Sequence, residues 1–137
     1  MYAISAATKS ALGLAFTALL LPSLAATPAQ RGPSFNKQVQ PILDANCVAC
    51  HQTGSAQQGL ILESGLSFGA LAKSSAELPS MKLIQPGSAD TSYLFRKVSG
   101  SHMDVGGKGA RMPLGGALQA DDVDTIQRWI AAGAKND

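Results

Sequence analysis

The sequence predicts one small, mainly α-helical domain with a loop-rich middle, and three observations carry this. Apolar residues recur three and four positions apart in the first, third and last segments, as on one face of a helix. Gly54, Gly59, Gly65 and Gly69 break up the stretch between Gln52 and Gln85, so no long element is expected there. At 137 residues, 45% hydrophobic and 15% charged, the chain suits one compact domain and is short for two. The formal charge of +2, or +1 without the segment carrying Lys9, and the lack of any charge run give no footprint for nucleic acid.

Residues 1–25 carry Lys9 as their only charge, then an apolar run from Ala11 to Leu21, then Pro22-Ser23-Leu24-Ala25 with small residues at the minus three and minus one places. This reads as a secretory signal peptide cleaved near Ala25. The alternative, an uncleaved anchor, is disfavoured because the run falls short of the roughly 20 residues a spanning helix needs. Residues 26–34, with Pro28, Gly32 and Pro33, form a flexible lead-in before a domain spanning 35–134. Ser34 suits a helix N-cap ahead of Phe35, Val39, Ile42 and Leu43, which share one helical face. Pro41 predicts a kink, or a second helical segment starting there, because it has no amide donor and crowds the preceding turn.

That helix runs into Cys47-Val48-Ala49-Cys50-His51, the attachment signature of a c-type haem. The thiols of Cys47 and Cys50 add to two vinyl groups on one edge of the macrocycle, which places His51 beneath the ring centre as the proximal iron ligand. Other readings are weaker. A thiol-disulfide pair belongs on alternating strands and helices, which do not follow here. A closed zinc site needs four ligands, and the only other histidine is His102 in a glycine-rich loop. A disulfide between residues so close would stabilise little.

The middle is read as loop, with Leu60-Ile61-Leu62 as a short strand or an apolar loop lining the cofactor, a short helix over Leu66 to Lys73, and Met81 as an apolar filler. After Pro86-Gly87, Asp90 or Thr91 is placed to cap a helix with Tyr93, Leu94 and Val98 on one face, interrupted by Lys97 and ended by Gly100. Gly106, Gly107 and Gly109 make the next loop pliable, with Met103 and a solvated His102 in it; no phosphate-binding pattern accompanies them. Met112-Pro113 follows. A thioether is a soft neutral ligand to haem iron, and the proline holds Met112 extended, so Met112 ranks ahead of Met103, His102 and Met81 as distal ligand. In the last helix Leu118 staples against Val123, Gln119 caps, Asp121 and Asp122 favour the positive dipole end, and Val123, Ile126 and Ile130 form the buried stripe with Trp129 on its shoulder. Gly133 stops it, and residues 135–137 are expected to fray.

Cys47 to His51, Pro41-Ile42-Leu43 before them, Met112-Pro113 and the closing Trp129-Ile130-Ala131-Ala132-Gly133-Ala134 together resemble a class I c-type cytochrome domain, as in the small bacterial mono-haem cytochromes. The resemblance covers Phe35 to Ala134. It implies one covalently bound haem c held by Cys47 and Cys50, iron ligation by His51 and Met112, and attachment outside the cytoplasm, hence a periplasmic or otherwise exported protein. It also implies that the first and last helices cross, so that Phe35 or Val39 meets the Trp129 face. Leu60, Leu62, Leu94 and Ile126 are expected to wall the haem slot, with the two cysteines at one edge and not disulfide-bonded.

The function expected is one-electron transfer between transient redox protein partners by a monomer with no membrane span in its mature chain. It is not read as an enzyme, because a thioether in the sixth position leaves no vacancy for substrate. The rival class is a haem enzyme or gas-binding sensor with an open or labile sixth position.

Overall fold

The computed structural model describes residues 32–137, so the expected signal segment and residues 26–31 of the lead-in lie outside it. Four short α-helices follow in chain order: α1 (Gln40–Asn46), α2 (Ser67–Leu71), α3 (Tyr93–Ser99) and α4 (Ala120–Ala131). Two 3₁₀ turns, Gln57–Gly59 and His102–Val105, punctuate the loops. Among the described residues there is no strand, only an isolated antiparallel bridge between Ser74 and Lys82. No described helix is long and apolar enough to cross a membrane.

Pro41 shapes the first element as its chemistry requires. It has no N–H to give to the Lys37 carbonyl, and its ring would crowd that carbonyl in a regular α-helix. The chain instead takes a wider π turn over Phe35–Val39, in which the Gln40 amide reaches back to the Phe35 carbonyl, and α1 begins with the proline in its first turn. Ser34 caps this turn as expected, its hydroxyl accepting from the Lys37 amide at 3.3 Å.

The first and last helical segments meet through aromatic rings. Phe35 lies 5.1 Å from Trp129 and 5.2 Å from Phe68, the latter edge-on, and Trp129 is only 1% exposed. Trp129 therefore sits at the centre of the buried stripe with Ile126 and Ile130, not on its shoulder, while Val123 is only partly buried. The indole is held in place by a 2.9 Å bond from Nε1 to the Lys135 carbonyl. Residues 135–137 do not fray. The Asp137 carbonyl accepts from the Asn36 amide (2.9 Å) and the Ser34 hydroxyl (2.7 Å), and its Oδ1 accepts from the Phe35 amide (3.1 Å). The tail thus supplies acceptors to the N–H groups that open the first helical turn, which have no partners within it.

α3 packs across the Leu83–Ile84 segment, where the Tyr93 and Leu94 amides bond the Lys82 and Leu83 carbonyls. Its cap differs from expectation. Ser92 occupies the N-cap position, but its hydroxyl turns away to the Gln85 amide (2.8 Å) and the Ser88 carbonyl (2.8 Å), and neither Asp90 nor Thr91 caps the helix. At the other end Gly100 adopts φ 85°, the left-handed conformation that closes a helix without a Cβ penalty.

Candidate functional site

Cys47 terminates α1, and the chain winds on for one more turn. The Cys50 and His51 amides both bond the Cys47 carbonyl, at 3.1 and 3.0 Å. Residues three and four apart on such a turn share one side, so Cys47, Cys50 and His51 come to the same place. All three line a mainly apolar cavity of about 630 Å³, and Met112 and Pro113 line it too. That volume lies in the range of roughly 300–1,000 Å³ typical of small-molecule and cofactor sites. Leu60, Leu62, Leu94 and Val98 supply apolar wall, and Leu114, 65% exposed, belongs to its open side. Ile126 is not part of this wall; α4 turns it into the core instead.

The extended Leu60–Leu62 segment does more than line the cavity. The Leu60 carbonyl lies 3.1 Å from His51 Nδ1, and the Leu62 amide bonds the His51 carbonyl at 2.7 Å. A carbonyl only accepts, so this contact assigns the proton to Nδ1 and leaves the Nε2 lone pair free. Gln40, buried on α1, anchors the same segment by donating to the Leu62 carbonyl (3.0 Å), while its own side-chain oxygen accepts from Ser67 of α2. Neither bond was legible in the sequence, since a glutamine inside a helix has many possible partners.

Cys47 and Cys50 are both free, with no disulfide between them. Burial pushes the Cys47 thiol up to about 11, so it stays protonated at neutral pH, unlike the activated cysteine of a thiol-disulfide enzyme. Among the described residues no three His, Cys, Asp or Glu side chains are grouped so as to hold a metal ion between them. The pocket's donors include one imidazole, one thioether and two thiols, while its carboxylate, Glu77, is taken up by Lys97 and Tyr93. That set fits a haem better than a bare ion: the macrocycle supplies four nitrogens of its own, and the apolar walls match its faces.

The rival distal ligands are elsewhere. Met103 is 62% exposed and Met81 packs against the core; neither lines the cavity. His102 is not solvated as expected but 3% exposed, with Nε2 bonded to the Gly109 carbonyl at 3.0 Å and Nδ1 without a partner. The chain crosses tightly just after it at Gly107, where a Cβ would stand 2.7 Å from both the His102 carbonyl oxygen and the Tyr93 hydroxyl.

One part of the cavity was missed by sequence reasoning. Lys97, only 7% exposed, bonds Glu77 and the Lys108 carbonyl, and Tyr93 donates to the same carboxylate at 2.7 Å. Glu77, Tyr93 and Lys97 all line the cavity. The available signal was a lysine set between Leu94 and Val98 on an otherwise apolar face, since a buried ammonium requires a carboxylate partner.

The fold is shared with part of a known enzyme. The chain superposes on hydrazine synthase of Kuenenia stuttgartiensis with a TM-score of 0.51 at 21% identity, covering 74% of this chain and 16% of that one. At that identity the likeness carries the fold alone. No protein-family model matches the chain. No curated protein sequence matches it either.

The Glu77 cluster makes stability depend on pH in a defined direction. Burial raises the Glu77 carboxyl, but the hydrogen bonds from Lys97 and Tyr93, then the charges of Lys97 and His102, outweigh it and hold the group below its ordinary 4.5. A depressed carboxyl contributes stability that is present above its unfolded value and is lost as the pH falls through the folded one. Tyr93 is pushed up to about 12 by burial and by the Glu77 bond and charge, so its contribution is present below its ordinary 10 and is lost between there and 12. Urea midpoints should therefore fall below about pH 5 and again above about pH 10. Glu77→Gln should lower the plateau and flatten the acid limb; an unchanged acid limb would show that Glu77 does not govern it.

Proposed function

We propose that the protein is an exported mono-haem c-type electron carrier. The observation that carries this reading is a single apolar cavity lined by Cys47, Cys50, His51 and Met112, in which the Leu60 carbonyl leaves His51 Nε2 free to ligate. Cys47 and Cys50 would be the attachment points, each thiol adding its S–H across one vinyl double bond of the haem. His51 would ligate through Nε2, and the Leu60 carbonyl on Nδ1 fixes the ring's tautomer and orientation. Met112 offers a thioether, which favours the reduced state when paired with histidine. When bound, haem supplies reversible one-electron chemistry at iron. The chain's part is to hold both ligands still, so that little rearranges between oxidation states, and to keep water off the iron with Leu60, Leu62, Leu94 and Val98. With His51 and Met112 both available to hold the iron, the protein would act as a carrier and not an enzyme, and its partners would be redox proteins met transiently.

Absorption spectroscopy of the protein produced in a host that matures c-type cytochromes tests the assignment. Haem should stay with the chain under denaturing conditions, and the oxidised protein should show the weak band near the red end that a sulfur ligand gives. Met112→Ala should remove the band and admit carbon monoxide. A wild-type protein that is high-spin and binds carbon monoxide rapidly would instead place it among haem enzymes or gas sensors.

A further inference from the structure

The segment that carries Met112 has no regular structure of its own, yet it is fastened to α3 and the turn after it at four points. Lys97 Nζ bonds the Lys108 carbonyl, His102 Nε2 pairs with the Gly109 carbonyl at 3.0 Å, Arg111 Nε donates to the Val98 carbonyl at 2.8 Å, and the Met112 amide bonds the Lys97 carbonyl at 3.2 Å. Lys97 takes part at both ends, through its side chain at Lys108 and through its backbone at Met112. Its ammonium is also the one component whose place in a nearly dry site depends on a partner outside the strap: without Glu77 it would be a buried unpaired charge.

We propose that Lys97, seated by Glu77, is the positioning residue that holds the 108–112 strap against α3 and thereby keeps the Met112 sulfur in the haem cavity. The inference rests on the assignment of Met112 as distal ligand. The physical case is one of entropy. Residues 106–112 include Gly106, Gly107 and Gly109, the residues that lose most conformational freedom when ordered, so a strap of this composition stays in one place only if outside bonds hold it. Two of the four bonds are charge-assisted, from Lys97 and Arg111, and Lys97 is the more deeply buried of the two donors. Because Lys97 lies one turn from Tyr93 and Leu94, which line the same cavity, the strap is referenced to the pocket wall and not to solvent.

The test compares haem-loaded wild type, Lys97→Met, Glu77→Gln and the Glu77→Gln, Lys97→Met double variant. The methionine keeps the stem's volume and loses the donor; the double variant also removes any uncompensated charge. Amide hydrogen exchange over 108–112 should quicken on the order of tenfold or more in both variants lacking the lysine, while α1 and α4 keep their protection. The same two variants should weaken the red-end sulfur band, lower the reduction potential and bind carbon monoxide, and Lys97→Arg should restore the band at least in part. Glu77→Gln alone should fall between. If wild type shows the sulfur band and Lys97→Met keeps the band, the potential and strap protection, the positioning role is overturned while the carrier assignment stands. If wild type lacks the band, it is the Met112 assignment that fails. Loss of protection across α4 as well would mark Lys97 as a general stabilising residue and also overturn the proposal.

Discussion

A chain carrying Cys47→Ala and Cys50→Ala, made without haem, is expected to keep much of its far-UV circular dichroism and lose its near-UV signal. The reason is an asymmetry in the packing. On one side Phe35, Phe68 and Trp129 pack on each other and need no cofactor. On the other side Leu60, Leu62, Leu94 and Val98 face a cavity of about 630 Å³. A haem there would cover hundreds of Å² of apolar surface, and at about 25 cal/mol per Å² this is several kcal/mol or more. Domains of this size have only about 5–15 kcal/mol in total. Small, glycine-rich domains commonly need such a staple. Near-UV dichroism, amide exchange and the sharpness of the urea transition would measure the effect. A cooperative transition at the wild-type midpoint would contradict it.

Trp129→Ala should be the most damaging single substitution outside the candidate site. The indole is 1% exposed, packs at a tilt against Phe35, contacts Phe68 edge-on at 6.4 Å and bonds the Lys135 carbonyl. Removing a buried tryptophan costs about 3–5 kcal/mol in transfer and cavity terms together. In a domain of this length that corresponds to a fall in Tm of more than about 10 °C. The damage should extend to the N-terminal turn, because the tail that caps the Asn36 and Phe35 amides is itself tethered through the indole. Thermal melts would measure the loss, and accelerated exchange at Asn36 its spread. Trp129→Phe should recover part of the packing and none of the Lys135 bond. A melting point for Trp129→Ala within a few degrees of wild type would remove the aromatic contact from its central place.

Most of the helical skeleton was legible because it is local. Ser34 before an apolar face, Pro41 within it, Gly100 after Val98 and the spacing of Ile126 and Ile130 each act over a few residues, and each has the expected effect. Expectations failed where the chain turned back to offer a partner outside the helix in question. Ser92 does not cap because Gln85 and Ser88 offer its hydroxyl better geometry. His102 is buried with its Nε2 against the Gly109 carbonyl, a partner the following loop supplies. Residues 135–137 are ordered because the amides of residues 35 and 36 lack acceptors of their own.

The candidate site divides along the same line. The sequence by itself determined which atoms are available for chemistry: two thiols three residues apart, an imidazole directly after them, and a thioether before a proline. Those are covalent facts, and spacing along a helical turn carries three of them to one side. Only the tertiary structure decided that Met112 lines the same cavity while Met81, Met103 and His102 do not, and that Leu60 leaves the His51 Nε2 lone pair free. It also placed Glu77 beside Lys97, 20 residues away. Such choices depend on loops closing over long separations, where the entropy lost is repaid by burial and by buried polar groups finding partners, and neither term is visible in a local stretch of chain.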